Sequence, residues 1–162
     1  MIEIKCKKVN KNAKIPSKSH ASDMGYDVYI IHDDDKGWIK RFPSMKEEYN
    51  DIYYYPLKPG ERKVFHTGVK ISTPDDYGFL LRDRSGLAVK EGLHILAGVI
   101  EGTYRGEWMV CAINLGEHDI IIRSGDKIAQ AVLTKVIPSG TIKVENLEET
   151  ERGEKGFGSS GR

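Results

Sequence analysis

The sequence is poor in cysteine, has no excess of either charge sign, and contains no long apolar run. Its 162 residues include only two cysteines, Cys6 and Cys111, too few for a disulfide framework, so we expect two buried thiols in a reducing compartment. The 25 Lys and Arg residues nearly cancel the 24 Asp and Glu residues, which argues against a general basic surface for nucleic acid. No stretch approaches the length of a membrane span, and the first residues carry no apolar signal core. We therefore expect a cytoplasmic protein that contacts neither membrane nor nucleic acid directly.

Short runs rich in Val, Ile and aromatic residues dominate the rest of the sequence. Gly, Pro, Asp or Asn stands between many of them, as at residues 58–60 and 74–76. Regular spacing of this kind is typical of an all-β sandwich or barrel, and differs from the alternation of strands and helices in α/β proteins. The predicted strands cover residues 2–9, 26–31, 62–71, 77–81, 94–100, 108–114, 120–122, 127–136 and 142–144.

Three kinds of segment depart from this strand pattern. A Ser-x-x-Glu capping box predicts a short helix at residues 44–50, and Ser85 is predicted to be the N-cap of another. Residues 31–56 are polar and mixed, and we expect them to form an insertion outside the β framework. The segment 152–162 contains four glycines and no periodic apolar face, which predicts a flexible arm that follows a barrel domain at residues 1–151.

Two segments in the middle of the chain combine polar side chains with turn residues. Residues 84–86, Arg-Ser-Gly at a helix N-terminus, suit a phosphate oxygen, although a capped turn with solvated charges explains them equally simply. Residues 98–106 lie between two predicted strands and are expected to turn a hairpin that exposes backbone groups beside Glu101 and Tyr104. Taken locally, an ordinary surface hairpin with an ordinary glutamate accounts for that second segment.

Three further pieces lie near the two ends of the chain. In the arm, glycines would let backbone N–H groups approach a phosphate, and Phe157 offers a face on which a base could stack; a plain Gly/Ser terminus is the ordinary alternative. Asp27, at the start of a predicted strand, could orient a metal-bound water or simply form a turn. Gln130 could donate to phosphate or merely satisfy the neighbouring backbone.

Taken in order along the chain, these pieces resemble the motifs of the trimeric dUTPase family. The segments that match its motifs one to five are residues 23–28, 84–88, 98–107, 125–130 and 152–161. The match runs from about residue 9 to the C-terminus. The resemblance implies an all-β, jelly-roll-like barrel that forms a homotrimer, with active sites at subunit interfaces and the C-terminal arm exchanged between subunits.

The resemblance also implies an activity and a set of site residues. The reaction is hydrolysis of dUTP to dUMP and pyrophosphate by Mg²⁺-assisted water attack on the α-phosphate, which limits uracil in DNA and supplies dUMP for dTMP synthesis. Glu101, Asp27 and Arg84 are the implied catalytic residues, and Asp27 would touch a magnesium ion, held mainly by the phosphates, through water. Tyr104 would pack on the deoxyribose, Phe157 on the uracil, and the motif-three backbone would exclude a 5-methyl group. The implied substrate-binding residues are Arg84, Ser85, Gly86, Gly98, Val99, Ile100, Glu101, Tyr104, Met109, Gln130, Arg152, Phe157, Gly158, Ser159 and Ser160.

The chain departs from the family pattern at three places. Glu101 stands where the family usually has Asp; the two carboxyls have similar pKa values, but the extra methylene moves the carboxylate by roughly 1 Å. We expect an active enzyme with Glu101 as the base. Residues 82–83 are more charged than the usual apolar or Pro residues there, and residues 31–56 are longer than compact members need, which would suit a protein partner.

Two other functions fit parts of this sequence. A dUTP-binding regulatory protein would hydrolyse dUTP weakly and act on a protein partner through residues 31–56. A dCTP deaminase, which resembles dUTPases in fold, would have a Glu where this chain has Cys111. No carboxylate stands there, so deamination ranks lowest.

Overall fold

The computed structural model of the chain describes residues 2–33, 37–41 and 52–154. Strands predominate among them, and the expected all-β fold is confirmed. The elements are β1 (Lys5–Lys8), β2 (Gly25–Tyr29), β3 (Ile39–Arg41), β4 (Ile52–Leu57), β5 (Arg62–His66), β6 (Val69–Ser72), β7 (Tyr77–Asp83), α1 (Ser85–Glu91), β8 (Leu93–Leu96), β9 (Val99–Ile100), β10 (Met109–Asn114), β11 (Ile120–Arg123) and β12 (Lys127–Lys135).

The strands form small antiparallel sheets that wrap around one core. A four-stranded sheet has the order β2-β12-β7-β9, and two three-stranded sheets have the orders β5-β10-β8 and β11-β4-β3. β1 pairs with β6. In the largest sheet, β12 lies between β2 and β7 and sets Gln130 opposite both Asp27 and Arg82. This register brings three distant parts of the sequence to one edge of the barrel.

The core follows from the alternation of side chains along each strand. β10 alternates exposed and buried positions, as expected for a strand with one face on a core. The largest fully buried side chains include Trp108, Phe65 and Leu57. Full burial of an apolar side chain the size of Leu or Phe contributes about 1.5–3 kcal/mol. Phe79 meets Trp108 edge to face at 4.9 Å, so the core reaches the segment that leads into β10.

Two runs that were predicted as single strands are each divided into two. The run 62–71 breaks between β5 and β6, where Gly68 has φ +69°. The run 94–100 breaks between β8 and β9, where Ala97 and Gly98 have φ values of 59° and 94°. Left-handed residues end a ladder because they turn the chain out of the extended conformation. The apolar run continues through the second break, so composition did not show it, whereas the first break falls at Thr67 and Gly68.

Residues 31–56 are not wholly an insertion, and that prediction is partly wrong. β4 pairs with β11, and β3 pairs with β4, so both strands belong to the framework. The Tyr55 ring lies 5.8 Å from Phe65 and 6.0 Å from Trp38, centroid to centroid, and Leu57 is fully buried. The aromatic residues at the end of this polar region pack well on a pleated surface, and they bring it into the sheet.

Several smaller expectations have mixed outcomes. The segment 142–144 forms no strand, since it pairs with no other part of the described chain, and Ile142 is 87% exposed. The helix expected at 44–50 lies outside the described residues. Cys6 and Cys111 are free thiols, half-buried rather than buried, and burial raises the pKa of Cys6. In the described part of the chain, α1 is the helix present and it is far too short to span a membrane.

Candidate active site

The first candidate site is a charged cavity of about 490 Å³ beside α1, which we call the α1 cavity. It lies where β2, β12 and the end of β7 meet, so its position follows from the register of the four-stranded sheet. Its wall combines cationic, anionic and hydroxyl groups with one amide. The lining residues are Ser19, Asp23, Asp27, Arg84, Ser85, Gly86, Leu87, Lys90, Glu91 and Gln130.

The start of α1 forms one wall of the α1 cavity. Arg84 is its N-cap, with extended φ −86° and ψ 124°, so the prediction that Ser85 is the N-cap is wrong by one residue. Among the residues that the structure describes, no side chain caps the helix, and the first backbone N–H groups of a helix have no partner within it. The Ser85 hydroxyl therefore remains on the cavity wall. At Gly86, no neighbouring atom of the described residues lies within 4 Å of the position that a Cβ would occupy, so the described structure leaves open space at that point.

The Asp27 carboxylate is held between two cations. Lys127 Nζ lies 2.7 Å from Asp27 Oδ2, and Arg84 Nε lies 3.4 Å from Asp27 Oδ1. The hydrogen bond to Asp27 raises the pKa of Lys127. Arg84 also donates from Nη1 to the main-chain oxygen of Lys127 at 3.0 Å. One carboxylate thus faces two cations, so this three-residue cluster carries one net positive charge and suits an anion such as a phosphate, while Asp23 and Glu91 add negative charge elsewhere on the cavity wall.

Gln130 is fixed by the backbone at the end of β7. Its Nε2 donates to the main-chain oxygen of Asp83 at 2.8 Å. Gly25 makes room for it, since a Cβ there would lie 2.5 Å from Gln130 Oε1. The side chain satisfies neighbouring backbone, as one sequence interpretation held, and it also lines the α1 cavity.

A second, smaller cavity of about 230 Å³ lies beside β9 and the turn that follows it, and we call it the β9 cavity. The expected hairpin is wrong, because β9 pairs with β7 whereas β10 pairs with β5 and β8. The segment between them is a tight turn in which Tyr104 N donates to Glu101 O at 3.0 Å. The lining residues are Val99, Ile100, Glu101, Tyr104, Glu107, Trp108 and Met109.

This turn is held against the barrel by close backbone contacts. A Cβ on Gly102 would lie 2.0 Å from Tyr77 O and 2.6 Å from Thr73 Oγ1, so only glycine fits. Arg105 Nη1 donates to Gly102 O at 2.6 Å and to Tyr104 O at 3.0 Å. The backbone is therefore fixed, while the Glu101 side chain is exposed.

The end of the turn is anchored to the bend between β5 and β6. Glu107 accepts from Gly68 N at 2.7 Å and contacts His66 Nδ1 at 3.2 Å. Trp108 N donates to Val69 O at 2.9 Å. Met109, the first residue of β10, is thus set at the mouth of the β9 cavity with 44% of its surface exposed.

Comparison with known proteins places the chain in a family. A family model described as dUTPase matches residues 51–161. The deoxyuridine 5'-triphosphate nucleotidohydrolase of Clostridium novyi (strain NT) is 40% identical over 159 residues, which is 95% of this chain and 95% of that protein. The chain belongs to the dUTPase family. The corresponding protein of swinepox virus is 35% identical over 158 residues, 98% of this chain and 96% of its own. The Staphylococcus bacteriophage 80alpha dUTPase, solved with dUPNHPP, superposes with a TM-score of 0.76 at 29% identity, with 99% of each chain covered.

Within this dUTPase fold, the predicted site residues fall into separate groups. Asp27, Arg84, Ser85, Gly86 and Gln130 share the α1 cavity. Five other predicted residues share the β9 cavity. Two predicted residues line neither cavity. They are Gly98, whose main-chain oxygen accepts a hydrogen bond from Leu81 N, and Arg152, which is exposed. The β9 group is Val99, Ile100, Glu101, Tyr104 and Met109. Four predicted residues lie outside the described part of the dUTPase chain, namely Phe157, Gly158, Ser159 and Ser160.

Sequence reasoning missed several residues that line the α1 cavity or lie against it. Lys127 contacts Asp27, and Ser19, Asp23, Lys90 and Glu91 contribute to the cavity wall. Lys127 lies inside the motif-four segment 125–130, so its position in the sequence could have identified it as a candidate site residue. Asp23 likewise lies inside the motif-one segment 23–28, whereas the cavity lining by Ser19, Lys90 and Glu91 depends on how a loop and a helix fold over the sheet.

Proposed function

We propose that this chain hydrolyses dUTP to dUMP and pyrophosphate by attack of an activated water on the α-phosphorus. Relatives named for that activity match this chain over nearly their whole length. The observation that carries the proposal is the cluster of Arg84, Lys127 and Asp27 beside the open start of α1. Phosphoryl transfer needs positioning and charge neutralisation more than covalent chemistry, and this wall supplies donors for both. The reaction limits uracil in DNA and supplies dUMP for dTMP synthesis.

The phosphate chain is assigned to the α1 cavity. Arg84 supplies a guanidinium that Asp27 and the Lys127 carbonyl already hold in place, so its orientation is prepared before substrate arrives. Ser85 and Gly86 add a hydroxyl and close backbone approach. Gln130 lies at the far wall. Such preorganisation lowers the cost of stabilising charge in the transition state.

The nucleoside is assigned to the β9 cavity. A turn with a fixed backbone reads a base edge well, because its N–H and C=O groups do not move when the base arrives. Tyr104 lies on the wall, where it would pack on the sugar, and the phenol donates to Glu107 O at 3.2 Å. Glu101 extends from the same turn as the general base for the attacking water. Its flexible extra methylene gives the carboxylate room to adjust its position.

The complete site is proposed to form between copies of the chain in a homotrimer. Two features support this: the predicted residues divide between two separate cavities, and residues 136–154 leave the barrel in an exposed, irregular path. Ile137, Ile142 and Leu147 on that path are 79%, 87% and 84% exposed, so the path offers apolar side chains that contact with another chain would bury. A neighbouring copy would thus bring its β9 turn to the α1 cavity, and an exchanged arm would close over the nucleotide through Arg152 and Phe157.

Magnesium is proposed as the cofactor, and the α1 cavity fits such a role. Asp23 and Asp27 place carboxylates on its wall. Among the residues that the structure describes, no group of three or more His, Cys, Asp or Glu side chains could cage a metal. That donor set suits Mg²⁺, which keeps several waters and is commonly bound by one or two carboxylates plus substrate phosphates. When bound, the ion would neutralise phosphate oxygens, with Asp27 orienting it through water. A structure of the phage phi11 dUTPase of Staphylococcus aureus is described as showing coordination of a structural Mg(II) ion.

The two other functions are not favoured. The position of the deaminase carboxylate is Cys111, a half-buried thiol on β10. A regulatory protein acting through residues 31–56 loses much of its basis, because β3 and the end of that region, in β4, are part of the sheet.

The proposed activity is tested by pyrophosphate release from dUTP, dCTP, dTTP and UTP, each with Mg²⁺ and with excess EDTA. We expect release from dUTP with magnesium, and at least about 100-fold slower release from the other three. The cytosine of dCTP would leave backbone hydrogen bonds of the turn unpaired, whereas dTTP adds a 5-methyl group beside that backbone and UTP adds a 2′-hydroxyl beside Tyr104. Ammonia release from dCTP, or tight dUTP binding without turnover, would overturn the assignment.

A further inference from the structure

Asp83 joins two strands that belong to different sheets. It is the last residue of β7, in the four-stranded sheet, whereas His94 and Ile95 lie in β8, in the sheet β5-β10-β8. Asp83 Oδ1 accepts from Ile95 N at 2.7 Å, and Asp83 Oδ2 accepts from His94 Nδ1 at 2.9 Å. We call these two contacts the Asp83 clasp.

The clasp closes the base of the excursion that carries α1. The chain leaves β7 after Asp83, forms α1, and returns at Leu93. Nothing in the strand ladders joins β7 to β8 within the described residues, because β8 is the edge strand of its own sheet. An edge strand has outward N–H groups without ladder partners, and Ile95, which is 6% exposed, cannot leave its N–H to water. The Asp83 carboxylate supplies that partner.

The backbone of the same residue is joined to two residues that line the α1 cavity. Its main-chain oxygen accepts from Gln130 Nε2, and the next residue is Arg84, the N-cap of α1. The side chain therefore holds the excursion at β8, while the backbone leads directly into Arg84 and accepts the hydrogen bond that orients the Gln130 side chain. A shift of this backbone would move Arg84 and Gln130 together.

We propose that Asp83 is a positioning residue for the phosphate chain of the substrate, acting through the clasp on Arg84 and Gln130. This inference rests on the proposed function, since it assigns a role toward the same nucleotide. The clasp does not touch the β9 cavity, whose walls come from residues 99–109. Its loss should therefore weaken the hold on the phosphates and leave the hold on the nucleoside nearly unchanged.

The test compares the binding of α,β-imido-dUTP and of dUMP to wild type and to Asp83→Ala, Asp83→Asn and His94→Ala by calorimetry. Loss of a charge-assisted hydrogen bond to a buried N–H corresponds to about tenfold in an equilibrium constant, so Asp83→Ala should weaken the imido analogue about tenfold. Binding of dUMP should change less than about twofold on the same argument. Asp83→Asn should recover most of the loss, because its amide oxygen still accepts from Ile95 N–H. In turnover of dUTP, KM should rise more than kcat falls.

Controls separate this role from general destabilisation. Glu117→Ala and His118→Ala remove an exposed carboxylate and an exposed imidazole from the turn before β11. Both variants should bind α,β-imido-dUTP and dUMP with wild-type affinity. Asp83→Ala combined with His94→Ala should bind the analogue no more weakly than Asp83→Ala alone, because both act through one contact. Equal weakening of both nucleotides, or no weakening of either, would overturn the proposal. If wild type fails to hydrolyse dUTP the proposed function falls instead, and binding of inorganic tripolyphosphate to the same variants still tests the clasp.

Discussion

The α1 cavity is organised by contacts between charged side chains, whereas the turn beside the β9 cavity is held by close contacts of its main chain. Asp27, Arg84 and Lys127 meet across three elements and hold one another by charge. At the β9 turn, Gly102 lies against Tyr77 with no room for a Cβ. One region is arranged by electrostatics and the other by steric fit.

This difference predicts how each region responds to substitution. When one charged side chain of a cluster is removed, we expect only a partial loss of anion binding, because the remaining partners, water and salt compensate for the missing charge. A backbone held in van der Waals contact cannot absorb an added atom by a small local shift, because close packing transmits the displacement to the neighbouring residues. Single substitutions should therefore reduce activity less in the α1 cavity than in the backbone of the β9 turn. Glu101 is the exception, because the proposed base is a side chain that extends from the rigid turn.

The largest effect is expected at Glu101. Glu101→Gln keeps the size and polarity of the side chain but removes the base, and general-base catalysis contributes about 10²–10⁴-fold. Single-turnover hydrolysis of dUTP should slow by that factor, while binding of α,β-imido-dUTP stays within about threefold. Glu101→Asp serves as the matched control and should retain hydrolysis. A Gln variant as fast as wild type would show that the base lies elsewhere.

A smaller but still large effect is expected at Gly102. In Gly102→Ala the new Cβ would lie 2.0 Å from Tyr77 O, which forces the turn away from β7. A displacement of about 1 Å at a reacting group costs roughly 100-fold, so kcat/KM for dUTP should fall by about that much. Gly140→Ala is the control, since a Cβ there meets no neighbouring atom within 4 Å in the described part of the chain. If Gly102→Ala keeps both its melting temperature and its activity, the turn is softer than the contacts imply.

The sequence predicts the strand-rich fold and the helix near residue 85, because the patterns of apolar and capping residues are local. It does not predict that Ala97 and Gly98 break a strand, since the apolar run continues through them. Nor does it reveal that β4 pairs with β11, a contact between residues far apart in the sequence.

The candidate site shows the same division between local and long-range information. Motif residues could be named, but the Asp83 contact with His94 depends on how two sheets meet. Pairings of that kind are properties of the folded chain, and spacing alone does not encode them.

The smallest effect is expected at Lys127, which supports Asp27 from outside the predicted set. Lys127→Met should raise KM for dUTP by at most about fivefold at low salt, and by less at 0.5 M NaCl, because partly exposed ion pairs are weak and screened. Since the hydrogen bond to Asp27 raises the pKa of Lys127, its charge persists well above neutral pH. The ratio of mutant to wild-type KM should therefore be the same at pH 6.5 and pH 8.5. Lys127→Arg should restore wild-type values, and Lys143→Met, at an exposed site, should change nothing. A ratio that changes between the two pH values would mean that another titrating group, rather than Lys127, neutralises Asp27.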